Sequence, residues 1–76
     1  MERFCVHWYD PDGGKHTELQ WVDSRTAVEQ AFSLTDRPAT RMGIIRRVII
    51  TDANDCCCFE WKYNEGVTFP PLGERP

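Results

Sequence analysis

Five turn-forming residues in a row, Asp10-Pro11-Asp12-Gly13-Gly14, sit between two short stretches of alternating polarity. Glycine supplies positive φ at no steric cost and proline presets its own φ, so such a run reverses the chain sharply. Before it, residues 3–9 place Phe4, Val6 and Trp8 on one side and Cys5, His7 and Tyr9 on the other. After it, residues 16–22 alternate again, with Leu19 and Trp21 on the apolar side and Glu18 and Gln20 opposite. Two period-two runs joined by such a turn read as a β-hairpin.

The rest of the chain changes period once and then returns. Asp23-Ser24 offers side-chain oxygens to the free N–H groups of a first helical turn. Ala27, Val28, Ala31 and Phe32 then form one helical stripe, with Arg25, Glu29, Gln30 and Ser33 opposite. Asp36-Arg37-Pro38 stops the helix, because proline disfavours helical geometry in the residue before it. Residues 39–43 read as a connector closed by Gly43. Ile44 to Thr51 is β-branched and apolar on both faces, as in a central strand. Asp52-Ala53-Asn54-Asp55 is a second turn, after which Cys57, Phe59, Trp61 and Tyr63 alternate with Cys56, Cys58, Glu60 and Lys62. Asn64-Glu65-Gly66 turns once more into a short strand, Val67-Thr68-Phe69, and Pro70-Pro71 cannot donate to a ladder.

The layout β-β-α-β-β-(β) predicts an α+β fold: a four- or five-stranded antiparallel sheet with one α-helix packed on one face. Residues 1–70 form the single domain, and 71–76 are expected to be a flexible tail. The helical stripe is expected to meet Phe4, Val6, Trp8, Leu19, Trp21, Phe59, Trp61 and Tyr63. By parity, the other face offers Cys5, His7, Tyr9, His16, Glu18, Gln20, Val22, Cys56, Cys58, Glu60 and Lys62.

Composition narrows the function classes. A chain of 76 residues buries only about 60% of its unfolded surface, so one small domain is all it builds. It is 41% hydrophobic and 28% charged, which excludes disorder as a description of the whole. Its net charge of −3 runs against a protein that lives by coating phosphates. Met1-Glu2-Arg3-Phe4 enters a strand pattern at once and no run approaches the ~20 apolar residues of a spanning helix, so a cytoplasmic protein without a signal peptide is expected. Its four cysteines are then expected to be reduced. Neighbours on a strand point to opposite faces, so Cys56-Cys57-Cys58 does not read as a disulfide framework.

The candidate chemistry is thin. Cys5, His7, Cys56 and Cys58 are the right donors for zinc, but C-x-C on a flat strand holds its sulfurs apart, unlike the C-x2-4-C of structural sites. No C-x-x-C is present, and Asp52 and Asp55 beside the triplet oppose thiolate formation. His7, His16, Ser24, Asp10 and Asp12 supply residue types for catalysis without any nucleophile elbow, HExxH or phosphate-cradling loop. A sheet with one helix also offers no deep cleft that excludes water. The expectation is no enzyme, no metal and no cofactor.

The basic cluster carries the most local information. Arg37, Arg41, Arg46 and Arg47 lie within eleven positions, and arginine outnumbers lysine seven to two. The planar guanidinium suits carboxylate or phosphate and stacks on aromatics. The cluster reads as a contact patch for an acidic protein surface, alternatively for a nucleic-acid backbone, or else as a solvated loop whose stems cover apolar edges. The face carrying His7 and Tyr9 is a second candidate surface, on which two copies could also pair as a dimer.

The layout resembles small phage and prophage accessory proteins, in particular anti-CRISPR inhibitors of β-β-α-β-β type. The residues that carry it are the helix Ala27-Val28-x-x-Ala31-Phe32, the strand Arg47-Val48-Ile49-Ile50 and the closing Trp61-Lys62-Tyr63-x-x-Gly66-x-x-Phe69. The likeness lies in topology and hydrophobic spacing. It implies a stoichiometric, non-enzymatic protein that blocks a host ribonucleoprotein complex by surface contact. The chain departs from nucleic-acid-contacting inhibitors of this kind in being acidic.

Overall fold

In the computed structural model, which describes residues 3–69, the opening hairpin is β1 (Phe4–Tyr9) and β2 (Lys15–Val22). Its turn is tied by Asp10, whose carboxylate accepts the backbone N–H groups of Asp12 and Gly14 at 3.0 and 2.8 Å. The helix α1 (Ser24–Thr35) starts where Asp23 accepts the N–H of Thr26 at 2.9 Å. A single further turn, α2 (Pro38–Arg41), begins with proline at its first position, where the missing N–H costs nothing. The chain then runs through β3 (Arg47–Thr51), β4 (Cys57–Lys62) and β5 (Gly66–Phe69). Among the described residues the five strands form one antiparallel sheet in the order β2-β1-β3-β4-β5. This is the expected α+β fold with five strands. The proline stop and the tail from residue 71 lie outside the described residues.

β3 lies at the centre between β1 and β4, and α1 packs over β1, β2 and β3. The core is Val6, Ala27, Ala31, Leu34, Ile45, Val48 and Ile50, with Phe4, Trp8, Leu19, Val22, Phe59 and Trp61 packed around it. The helix therefore buries Ala27, Ala31 and Leu34, a strict i, i+4, i+7 row. The expected stripe is half corrected, because Val28 and Phe32 are 43% and 55% exposed. They lie one step round the helix, towards β4, where Phe32 meets Phe59 edge-on at 5.9 Å between ring centroids. Past the end of α1, the Thr40 hydroxyl donates to the Leu34 carbonyl and closes the turn beneath the core.

Three register shifts overturn the face assignments made from parity. Two fall in the β1–β2 ladder, where Phe4 pairs with Val22, Val6 with Leu19 and His7 with Thr17. Each inserts one residue in β2 and reverses parity beyond it. Val22 thus packs on the core and Trp21 leaves it, 54% exposed with φ +56°. A positive φ in so bulky a residue costs about 1–3 kcal/mol. Glu18 turns to the helix, where Gln30 donates to it at 3.3 Å. His16 pairs with Trp8 and stacks on it, ring centroids 4.1 Å apart, so it too leaves the helix-free face. The third shift lies between Ile50 and Thr51, opposite β4. There Cys57 faces Thr51 rather than the core, and Cys58 lines the space beside Ala27, Val28 and Phe59. Tyr63, expected in the core, stands beyond the end of β4 outside the core cluster.

Leu34 is fully buried, so Leu34→Ala should cost about 2–5 kcal/mol in urea unfolding. Phe32→Ala should cost clearly less, since its ring is already half in water.

A basic, tyrosine-lined groove at the end of the sheet

The ladders align Tyr9, Arg47 and Lys62 side by side on the helix-free face, at the end where β3 begins. Just beyond them the chain stays paired: Arg46 donates its N–H to the Tyr9 carbonyl and Tyr63 donates to that of Arg46, at 2.8 and 2.9 Å. Both tyrosine rings carry a guanidinium. Arg46 lies 5.0 Å from the centroid of Tyr63, and Arg47 lies 4.9 Å from that of Tyr9. These side chains line a groove of about 460 Å³ between Gly13 at the tip of the first hairpin and Glu65 in the last turn.

The two stacks hold the arginines in place while leaving hydrogen-bonding edges open. Among the described residues Arg47 donates only its Nε–H, to Glu60. The other oxygen of Glu60 accepts the Thr68 hydroxyl at 2.7 Å. The Thr68 bond, and after it Arg47, keeps the Glu60 carboxyl below its ordinary range, so it stays charged. Arg46 and Lys62 form no ion pair among the described residues, and the terminal nitrogens of Arg47 are likewise unbonded. Gly43 makes room for this arrangement. At φ +84°, a Cβ added there would stand 3.3 Å from Arg46 Nη1 and 3.6 Å from the Tyr63 ring.

The four arginines singled out in the sequence do not form one patch. Arg46 and Arg47 join Tyr9 in the groove. Arg37 reaches Glu18 at 3.6 Å, and Arg41 reaches Asp36 at 2.7 Å. Arg41 still bears on the groove through its backbone, since its carbonyl accepts the Tyr63 hydroxyl at 3.5 Å. His7 sits in the middle of the sheet, away from the groove. Its Nδ1 lies 3.0 Å from the Thr17 hydroxyl and its Nε2 lies 3.3 Å from that of Thr51. Lys62 was expected on the helix-free face and Tyr63 in the core; the β3–β4 register brings both to Arg46 and Arg47.

Among the described residues, no group of three or more His, Cys, Asp or Glu side chains is arranged to hold a metal ion. No helix there is long and apolar enough to cross a membrane. No family model, no curated protein and no solved structure matches the chain.

His7 is buried and its two ring nitrogens are both engaged. Burial, and after it the charge of Lys15, pushes its pKa below the ordinary 6.5, with Asp55 opposing. Below 6.5 the unfolded chain takes up a proton that the folded chain does not, so stability is complete above that value and falls as the pH drops beneath it. Asp10, Asp23 and Glu60 are shifted below the ordinary carboxylate range, so their contributions are lost only at lower pH. The urea midpoint should therefore fall between about pH 7.5 and about pH 5.5, and fall less in His7→Gln. Gly43→Ala should lower the unfolding free energy at both pH values by about 1 kcal/mol or more, from its positive φ.

Proposed function

We propose that the chain is a small, non-enzymatic binding protein that acts by stoichiometric protein–protein contact. The groove of Arg46, Arg47, Lys62, Tyr9 and Tyr63 would engage an acidic segment of the partner. One observation carries this reading: three cations with unengaged donors converge on two tyrosines, and a single carboxylate, Glu65, lines the same groove. Guanidinium groups already stacked on rings lose little further freedom when they take up a carboxylate, which favours affinity. Arginine and tyrosine are also residue types that dominate interface hot spots.

The net charge of −3 favours a protein surface over a nucleic-acid backbone, because a long polyanion is repelled by the rest of the molecule. The reading agrees with the resemblance to phage and prophage inhibitors, under which the partner would be a host defence complex.

The test is capture of partners on the tagged protein from a bacterial lysate, with and without nuclease. A protein bound in equal amount, retained after nuclease and lost in Arg46→Glu/Arg47→Glu, is the expected result. Arg46→Ala/Lys62→Ala, which keeps the Arg47–Glu60 pair, should weaken binding while leaving the urea midpoint unchanged. Recovery of nucleic acid alone, with affinity falling steeply in log salt, would overturn the protein reading.

A further inference from the structure

At the other end of the helix-free face lies a second cavity of about 230 Å³, lined by Cys5, His7, Gln20, Trp21, Asp52 and Asp55 together with Lys15, Thr51 and Ala53. It is smaller than the ~300–1,000 Å³ usual for small-molecule sites and so suits a single side chain. Its floor is neutral and closed: Cys5 and His7 are buried, and both His7 nitrogens are engaged by threonine hydroxyls.

The walls are unusual. Three non-glycine residues among those described adopt positive φ, and two of them, Trp21 and Asp55, line this cavity. Trp21 is the residue that the β2 bulge turns out of the core, where its area would have added stability. Bulges re-aim side chains next to binding sites, and backbone strain gathers at ligand clamps. Asp55 has no ion pair among the described residues. Asp52 commits one oxygen to the N–H groups of Asn54 and Cys56. Two carboxylates and one lysine thus line the cavity together with an exposed indole, the ring type with the strongest attraction for a cation.

We propose that this cavity receives a cationic side chain of the protein partner, an arginine or a lysine, held between the indole of Trp21 and the carboxylate of Asp55. The proposal rests on the reading of the chain as a protein-binding module, but not on the groove. The helix-free face then has two poles, the groove taking an acidic segment at one end and the indole cavity a basic residue at the other. The segment recognised would carry both charges and lie along the strands.

The cavity is tested by titrating the ¹⁵N-labelled protein with N-acetyl-arginine methylamide at matched ionic strength. N-acetyl-norleucine methylamide serves as the neutral control. The indole N–H signal of Trp21, identified by its loss in Trp21→Phe, should move saturably with the arginine probe. The signals of Trp8 and Trp61 should stay in place. Asp55→Asn keeps a residue that tolerates positive φ and should weaken the response several-fold, the size of an exposed ion pair. A stationary Trp21 signal, an equal response to the norleucine probe, or an unchanged affinity in Asp55→Asn would each overturn the proposal. Arg46→Ala/Lys62→Ala should leave this titration unaltered, so failure of the groove and failure of the cavity are read separately.

Discussion

One twelve-residue helix covers a sheet of five strands, and that mismatch organises the molecule. A helix with its side chains is about 10 Å across, whereas five strands about 4.8 Å apart span roughly twice that. The helix can close over only part of the sheet, and it sits over β1, β3 and β2. Val6, Val48 and Ile50 beneath it become the dry centre, sealed by Ala27, Ala31 and Leu34. The small residues Ala27 and Ala31 let the helix approach closely, and Leu34 fills the remaining depth. On the β4 side the cover is incomplete, and Phe32 of the helix stays half in water while its ring meets Phe59 edge-on.

The charged residues follow from the same geometry. Arginines in the helical connection and at the start of β3 lie apart from the core, where each meets a carboxylate, an aromatic ring or both. Arg37 and Arg41 find carboxylates, Glu18 and Asp36. Arg46 and Arg47 stack on tyrosines, which orient a guanidinium without cancelling its charge; Arg47 also pairs through Nε with Glu60, so its terminal nitrogens and Arg46 are what stay open. An acidic chain thereby keeps a local cationic groove. At ordinary salt the Debye length is about 8 Å, so this local field, more than the net charge, is what a docked group senses.

The elements themselves were legible in the sequence because period and turn chemistry agree there. Asp10-Pro11-Asp12-Gly13-Gly14 marks the hairpin, Asp23 marks the helix start, and the β-branched run to Thr51 marks the central strand. The faces were less legible. A bulge inserts one residue, leaves no local signature, and reverses every later assignment on its strand. That is why Glu18, Trp21, Val22 and His16 changed sides, and why Cys57 and Cys58 exchanged places. Leu34 was missed as a core residue because Val28 and Phe32 completed a plausible stripe without it. Only the docking angle of the helix selects between the two rows. The groove was half legible: Arg46, Arg47 and Tyr9 stood out, whereas Lys62 and Tyr63 join them through a strand register that composition does not encode.

The bulges in β2 bear on more than the placement of Trp21. β2 is the longest strand in the sheet and lies at its edge, with one row of backbone groups facing away from β1. A long, regular edge invites another chain to add itself as a further strand and so to start aggregation. Two insertions within eight residues break the even spacing that such an addition needs. The opposite edge is β5, only four residues long. The irregularity that undid the simple parity pattern therefore also protects the sheet against uncontrolled growth.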